Sequence, residues 1–241
     1  LRFGITSVSD LYYYPAATAE AVAETGIKAN LALSSYRFID ENEEWLKIQC
    51  MYDSYEGWIR KLQHNEITDD ELTDYISKDK YIVNVPVLHY ENMIISFGSK
   101  VFQNTEGTIP LSKNYDPDVL TDSAFRMLNV PYRWGGKSVM GIDCSAFVQL
   151  CAKIAGYKLP RDASQQYDFG EKVSLSEALP GDIAFFENQN HRIVHVGILL
   201  SRNMIIHASG EVHIDAIDET GIFNNEQNKY THYLNKVKRL K

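Results

Sequence analysis

The pattern of apolar and polar positions divides the chain into two halves that differ in their predicted secondary structure. In the first half, short apolar segments alternate with turns, as in "WLKIQCM" from Trp45 to Met51 and the apolar start at Trp58 and Ile59. Farther on, "YIVNVPVLHY" and "NMIISFG" flank Glu91 and Asn92, which predicts a strand pair joined by a tight turn. We therefore predict that this half is mostly β, in small barrel-like units.

The texture changes near Asp116. The acidic stretch "HNEITDDELTDYIS" predicts a helical turn or a linker, and the proline in "SKNYDPDVL" marks a domain boundary. A helix is predicted from Val119 to Leu128 and a second one begins at Cys144. Strands are predicted at "DIAFFE", "IVHVGILLS", "MIIHAS" and "HYLNKVKRL". Helices followed by a run of antiparallel strands favour an α+β domain.

The second of these helices carries a thiol at its start, in "GIDCSAFVQLCAKIAG". Apolar residues follow at the spacing of one helix face: Phe147, Val148, Cys151, Ile154 and Ala155. Cys144 lies in the first turn, where free amide groups and the helix dipole are expected to lower the pKa of a thiol and favour the nucleophilic thiolate. The alternative is that Cys144 is a small buried apolar residue, as free cysteines often are.

Composition narrows the classes of protein. With 44% apolar and 23% charged residues the chain is typical of globular proteins, and its net charge of −8 argues against nucleic-acid binding. There is no run of 18 apolar residues, so we expect no membrane span. The chain begins at Leu1 without a signal-like segment, and we interpret it as a mature or trimmed form.

The cysteines do not indicate a disulfide framework or a structural zinc site. They are three in number and lack C-x-x-C spacing. We predict that Cys50 and Cys151 belong to the core. These cysteines permit a reducing compartment without requiring one.

Two histidines are candidates for a base that activates the thiol. His195 and His207 lie on predicted strands separated only by "SRN", which indicates a hairpin. Side chains alternate along a strand, so a connection with an odd number of residues places both histidines on one face, within about 8 Å. An even connection would place them on opposite faces and weaken the case for a triad.

Three ordered motifs, "GIDCSAFVQ", "HVGILL" and "IIHASG", resemble those of the NlpC/P60 cysteine peptidases, which cut bacterial cell-wall peptides. The resemblance covers residues 116–241. It implies a papain-like α+β core with Cys144 as nucleophile, His195 as base and His207 as the group that orients the base. A family departure is Ala146, where a glycine is common; alanine is the better helix former.

The front half resembles the bacterial SH3-type modules attached to such peptidases, most clearly in "WLKIQCMYDSYEGWI". We expect small all-β SH3-like barrels, one at residues 1–62 and a second module or linker at 63–115. The layout is similar to a subset of γ-D-glutamyl-L-diamino acid endopeptidases, of the dipeptidyl-peptidase VI type. This subset cleaves the γ-D-glutamyl bond to a diamino acid in released muropeptides with a free L-alanine amino terminus, a murein-recycling activity.

Seven further positions match motifs that bind substrate in that subset: Tyr132, Trp134, Asp143, Ser145, Ser164, Glu20 and Tyr55. The resemblance implies that Tyr132 and Trp134 wall the pocket. Asp143 is placed to supply the carboxylate that a free ammonium group needs. Glu20 and Tyr55, in the first module, would close the pocket over the amine.

Other interpretations stay open at this point. The chain could bind wall peptide without cleaving it, act on intact wall, or be an amidase or acyltransferase on the same fold. Cys144, His195 and His207 could instead hold a zinc ion, although their elements lack short ligand spacing. His191 is expected to be an exposed loop residue.

For the leading interpretation we expect a peptidoglycan-derived peptide as partner, no metal or other cofactor, no nucleic acid and a monomer. The expected location is the periplasm or cell envelope, with the cytoplasm left open.

Overall fold

The computed structural model of the chain describes residues 7–10, 28–31, 36–42, 44–50, 52–60, 68–90, 93–225 and 227–241. Two compact units are present, Leu1–Leu111 and Ser112–Lys241. Among the helices of the described residues, none has the length and apolar character needed to cross a membrane.

The described part of the first unit contains short strands and one helix: β1 (Ser7–Asp10), β2 (Lys28–Leu31), β3 (Tyr36–Glu41), β4 (Trp45–Cys50), β5 (Glu56–Arg60), α1 (Asp69–Ser77), β6 (Tyr81–Val83), β7 (Val87–Tyr90), β8 (Met93–Ser96), β9 (Lys100–Val101) and β10 (Thr108–Pro110). The strands form three sheets with the orders β1-β2-β8-β7, β10-β6-β9 and β3-β4-β5. The SH3-type barrels remain a prediction.

Local predictions for this unit are confirmed in outline. β4 pairs with β5 and β7 pairs with β8, both antiparallel. The segment "YIVNVPVLHY" contains two strands, however, since β6 lies in a different sheet from β7. The acidic stretch is α1, which begins with a capping box between Thr68 and Glu71. The prediction of Cys50 as a core residue is wrong, because its side chain is only half-buried.

The second unit consists of helices packed on a β-sheet. Its elements are α2 (Pro117–Phe125), β11 (Lys137–Ser138), β12 (Gly141–Ile142), α3 (Cys144–Ile154), α4 (Ala163–Gln166), β13 (Glu171–Val173), β14 (Ile183–Glu187), β15 (Ile193–Ser201), β16 (Met204–Ser209), β17 (Glu211–Ile217), β18 (Gly221–Asn224) and β19 (Lys229–Arg239). The helix predicted from Val119 to Leu128 begins and ends earlier because Asp116 caps it and Pro117 occupies its first position.

The large sheet of the second unit closes on itself. Its strand order is β13-β19-β14-β15-β16-β17-β18, and β18 also pairs with β19. The 11-residue β19 pairs through its first half with β18 and through its second half with β14, so six antiparallel strands form a ring. All six strands contribute to one apolar cluster, with Leu175 as the additional member: Leu175, Ala184, Phe186, Leu199, Ile205, Ile217, Ile222 and Val237. β17, β18 and the closure were not predicted from the sequence.

α3 is buried on nearly all sides, not on one face as its apolar spacing predicts. Every residue from Cys144 to Ile154 except Lys153 is buried. The helix packs against α2 and against β15 and β16. Cys151 is fully buried, as predicted for a core residue.

The hairpin of β15 and β16 places the two candidate histidines on one face, as predicted. Gly197 pairs with His207, so His195 is its diagonal neighbour. The connection differs from the expected three-residue loop. Strand β15 extends through Ser201, and the register shifts between Leu199 and Ser201. A two-residue turn alone would put the two histidines on opposite faces of the hairpin. The bulge adds one residue and returns them to the same face.

Gly197 allows the two strands to carry the histidines at close range. A Cβ atom at this position would lie 2.9 Å from His207 Cβ and 2.8 Å from Ile205 Cδ1. These contacts are shorter than packed side chains tolerate, so the hairpin would have to shift.

We predict that Gly197→Ala lowers the free energy of unfolding of the second unit by about 1–3 kcal/mol. Chemical denaturation followed by circular dichroism measures the change. Gly57→Ala is the control, since a Cβ there meets nothing within 4 Å. Equal unfolding curves for the two variants would contradict the prediction.

Candidate active site

Cys144 is the first residue of α3 and is 6% exposed. Its sulfur interacts with the backbone N–H groups of Val196, Ser145 and Cys144 itself. Val196 directly follows His195 on β15, so this contact places the thiol beside the strand that carries the first histidine. The amide groups of Cys144 and Ser145 are those expected at a helix N-terminus.

The predicted lowering of the thiol pKa is wrong for the free protein. The pKa of Cys144 is raised to about 11, chiefly by burial and also by the charge of Asp143, while the backbone N–H groups lower it by less. Loss of water around a buried thiolate therefore outweighs the helix N-terminus. The resting form of Cys144 is the neutral thiol.

His195 and His207 form a buried hydrogen-bonded pair. His195 Nε2 lies 2.9 Å from His207 Nδ1, and the two rings meet edge to face at 86°. Burial holds the pKa of His195 well below its usual range, and positive charge on the neighbouring histidines lowers it further. Burial also lowers the pKa of His207, although a hydrogen bond to Asp215 partly opposes this. Both rings are neutral at rest.

Asp215 extends this pair into a chain of three groups. Its Oδ2 atom lies 3.4 Å from His207 Nε2 and 3.1 Å from His213 Nε2. Burial raises the pKa of Asp215, but the adjacent His207 and His213 rings outweigh this effect and keep the pKa below the usual carboxyl value. A carboxylate therefore lies at the end of the chain that begins at His195.

Sequence reasoning missed Asp215 and two further histidines. The alternation in "EVHIDAI" puts His213 and Asp215 on one face of a strand next to the "IIHASG" segment, and this signal was available. His232, from β19, stacks on His195 with ring centroids 4.0 Å apart. Burial lowers the pKa of His232 to about 4. The stacked ring limits the rotation of His195.

Asp143 is the N-cap of α3 and is already well bonded. Its carboxylate accepts hydrogen bonds from the backbone N–H groups of Ala146 and Gly135. Arg161, also missed by sequence reasoning, donates to both oxygens at 3.0 and 2.6 Å. The guanidinium also donates to Ser145 Oγ at 2.9 Å. A charged pair, not a lone carboxylate, therefore lies beside the thiol.

The other residues assigned by motif in this unit take different positions. Tyr132 is half-buried, and its pKa is raised by burial and by the charges of Cys144 and Asp143. Its phenol thus interacts electrostatically with the Cys144 side chain and stays protonated. Trp134 is 84% exposed, and Ser164 is exposed on the short helix α4.

Two residues assigned by motif, Tyr55 and Glu20, belong to the first unit. Tyr55 is exposed in the turn before β5, where its N–H group donates to Asp53 Oδ1. Glu20 lies outside the described residues.

His191, in the second unit, is an exposed loop residue with a positive φ of 55°, and it pairs with Glu187.

The described residues contain two groups with the donor atoms for a metal ion. One is His195, His207 and His232, and the other is His207, His213 and Asp215. Within this part of the chain, Cys144 belongs to neither group. The zinc set of Cys144, His195 and His207 is therefore not among the groups that the fold assembles here.

Comparison with known proteins finds a family model and several relatives that are similar to the part of the chain that carries this site. Residues 129–232 match the family model described as "NlpC/P60 family". The fold is similar to that of an NlpC/P60 family protein from Bacillus cereus, with a TM-score of 0.72 at 18% identity over 92% of this chain and 85% of that one.

Curated relatives have peptidase names. A gamma-D-glutamyl-L-lysine dipeptidyl-peptidase of Bacillus subtilis is 32% identical over 53% of this chain and 45% of its own length. A probable endopeptidase NlpC homolog of Haemophilus influenzae is 42% identical over 36% of this chain. The match spans 48% of that relative, so both matches cover about half of the relative's length. Dipeptidyl-peptidase 6 of Lysinibacillus sphaericus is 26% identical over 89% of this chain and 91% of its own length.

The raised thiol pKa predicts a steep pH dependence of alkylation in the free protein. Between pH 7 and 9 the rate of iodoacetamide reaction at Cys144 should increase about tenfold per pH unit, because only the thiolate reacts. Peptide-resolved mass spectrometry separates this site from the other cysteines.

The His195→Ala variant is the control for that experiment. It should show the same profile, since a neutral His195 holds no ion pair with the resting thiol. A rate that reaches a plateau below pH 8 in the unmodified protein and not in the variant would contradict the assignment.

Proposed function

We propose, from the premise that residues 129–232 form an NlpC/P60 family domain, that this protein is a cysteine peptidase. Its proposed substrate is the γ-D-glutamyl bond to a diamino acid in cell-wall muropeptides with a free N-terminal L-alanine. The observation that carries the peptidase proposal is the buried pair of His195 and His207 beside the N-terminus of α3, where Cys144 lies. The name of the Bacillus subtilis relative, a gamma-D-glutamyl-L-lysine dipeptidyl-peptidase, supports the γ-D-glutamyl bond to a diamino acid.

Proton positions follow from the chain of acceptors. Asp215 is a carboxylate and only accepts, so the hydrogen of a neutral His207 is held on Nε2 and its Nδ1 carries a lone pair. His195 then donates from Nε2 to His207 Nδ1. This leaves His195 Nδ1 as the nitrogen that takes the proton of Cys144. Asp215 is therefore a positioning residue that acts through His207.

The reaction is acyl transfer in two stages. Proton transfer from Cys144 to His195 gives a thiolate, which attacks the γ-carbonyl carbon and forms a tetrahedral oxyanion. We propose that the protonated Tyr132 and the amide groups of α3 donate hydrogen bonds to this oxyanion. The leaving amine takes the proton from His195, and water then hydrolyses the thioester with His195 as base.

Because Cys144 and His195 are buried, we propose that the reactive ion pair forms only when substrate is bound. In the free protein both the thiol and the imidazole of His195 are neutral, so the reactive ion pair is not formed in advance. A bound peptide places its carbonyl and its own charges in the pocket, where the thiolate and imidazolium stabilise each other at short range. Proton transfer is thereby linked to substrate binding.

The Asp143–Arg161 pair fits the two charges of the proposed substrate's L-Ala-γ-D-Glu portion. The free L-alanine offers an ammonium group and the γ-linked D-glutamate offers an α-carboxylate. Asp143 and Arg161 are 9% and 11% exposed at their side chains and already neutralise each other. We propose that the ammonium approaches Asp143 while the α-carboxylate takes up donors of Arg161, so that neither buried charge is left unpaired. Glu20 and Tyr55 remain sequence predictions.

The proposal predicts selective cleavage of a free-amine peptide. Purified protein should release the diamino acid from L-Ala-γ-D-Glu-diaminopimelate and cleave the N-acetylated peptide at least about a hundredfold more slowly, as expected when a buried carboxylate loses its charged partner. Mass spectrometry of the products measures both rates. Cys144→Ala should abolish cleavage, while Cys151→Ala, two turns along the same helix, should keep it.

Other outcomes point to the other interpretations. Equal cleavage of both peptides would contradict the ammonium site and favour a hydrolase of intact wall. Turnover retained in Cys144→Ala would contradict cysteine catalysis. Cleavage of neither peptide would contradict the proposed reaction and favour an acyltransferase, an amidase or a wall-binding protein.

A separate prediction concerns Asp215. In Asp215→Asn the amide can donate to His207 Nε2 and favour the wrong tautomer, so kcat should fall by about 10²–10⁴ with KM little changed. Asp215→Glu should restore part of the loss. Asp218→Asn is the control for a carboxylate-to-amide change nearby in the sequence, just after β17, and it should keep kcat. A parallel rise of KM, or equal losses in the Asp215 and Asp218 variants, would contradict the positioning role.

A further inference from the structure

A second set of donor atoms lies on the side of His207 that faces away from His195. His213 pairs directly with His207 across the β16–β17 ladder, and Asp215 follows two residues later on the same face. The donor atoms of these three side chains all lie within 4.8 Å of one another. The proposed peptidase reaction uses only the His207–Asp215 contact and assigns no role to His213.

The orientation of His213 points to a missing positive charge. Its Nδ1 lies 2.9 Å from the carbonyl oxygen of Glu211, which can only accept, so Nδ1 carries a hydrogen. A neutral His213 therefore presents the lone pair of Nε2 to Asp215 Oδ2 at 3.1 Å. Two acceptors facing each other at this distance require a proton or a metal ion between them.

The spacing of the donors matches coordination by one metal ion. A tetrahedral Zn²⁺ with bonds of about 2.0–2.1 Å separates neighbouring ligand atoms by roughly 3.4 Å. Asp215 Oδ2 lies 3.1 Å from His213 Nε2 and 3.4 Å from His207 Nε2. Outer contacts of the kind that orient metal ligands are also present, since His213 donates to a carbonyl and Asn224 donates to Asp215.

We propose that His207 Nε2, His213 Nε2 and the Asp215 carboxylate form a binding site for a divalent transition metal of the Zn²⁺ type, and that the metal inhibits the enzyme. The donor set of two imidazoles and one carboxylate suits zinc, with a fourth position left for water. Access is through His213, whose side chain is 27% exposed. His207 is the residue that the metal site and the proposed reaction share.

Inhibition follows from the tautomer of His207, and this part of the proposal rests on the proposed function. Zn²⁺ on Nε2 displaces the hydrogen there to solvent, the hydrogen shared by the two rings moves from His195 Nε2 to His207 Nδ1, and His195 Nδ1 takes up one hydrogen from solvent, so both rings stay neutral. His195 Nε2 must accept that hydrogen bond, so a neutral His195 carries its hydrogen on Nδ1. No lone pair remains on His195 to take the proton of Cys144.

The other histidine group is a weaker candidate for the metal. It consists of His195, His207 and His232. A metal there would have to break the 2.9 Å hydrogen bond between the first two rings, and both are almost fully buried. His232 therefore provides the matched control for His213, since each histidine flanks His207 and only one belongs to the proposed site.

The first test measures binding without catalysis. ZnCl2 is titrated by calorimetry into the full chain carrying Cys144→Ala, which removes the thiol as a ligand, and then into the same variant with His213→Gln or His232→Gln added. We expect one Zn²⁺ per chain, an affinity weakened at least tenfold by His213→Gln, and an unchanged affinity with His232→Gln. Circular dichroism melting checks that each variant is folded.

Each alternative result overturns the site. Equal binding with and without His213→Gln would show that the ion is elsewhere, and loss of binding only with His232→Gln would place it in the other group. Loss of binding on removal of Cys144 alone would assign the zinc to the thiol. These outcomes do not depend on peptidase activity, so they remain decisive even if the proposed function fails.

The second test measures inhibition in the protein with Cys144 intact. ZnCl2 should inhibit peptide cleavage, EDTA should restore it, and His213→Gln should raise the half-inhibitory concentration at least tenfold relative to its own metal-free rate. Equal inhibition of both proteins would contradict the inhibitory role. Binding without inhibition would do so too, while leaving the metal site intact.

Discussion

Pairing of β19 with both β14 and β18 is the constraint on which the site depends. This strand closes the ring, and closure holds β15, β16 and β17 in a register that brings His195, His207 and Asp215 into one chain of hydrogen bonds. β19 also carries His232, whose imidazole stacks on that of His195. The apolar cluster to which all six strands contribute supports this arrangement, because packed interiors resist small shifts.

Two opposing effects meet at Cys144. The N-terminus of α3 offers amide groups that favour a thiolate, while burial removes the water that a thiolate needs. In the free protein burial outweighs the helix terminus, and in the proposed mechanism the charges of a bound substrate favour the thiolate. This balance protects a buried thiol from reaction with other electrophiles, since the reactive form is scarce at neutral pH.

Charge pairing governs both carboxylates of the site. Arg161 neutralises Asp143, and Asp215 faces two histidines. Buried charges are costly unless paired, so each carboxylate is held by specific donors. The proposed ligands follow the same rule: a zwitterionic substrate end for Asp143 and Arg161, and a cation for Asp215.

The sequence by itself determined most of the elements around the site and the first candidates. Apolar spacing, alternation and ordered motifs placed Cys144 at a helix start and His195 and His207 on adjoining strands, because these signals are local. Tertiary structure decided the closure by β19, the contact of Arg161 with Asp143 across 18 residues, and the neutral state of the thiol. Those features depend on which distant groups meet and on how much water is excluded, and neither quantity is written in the spacing of residues along the chain.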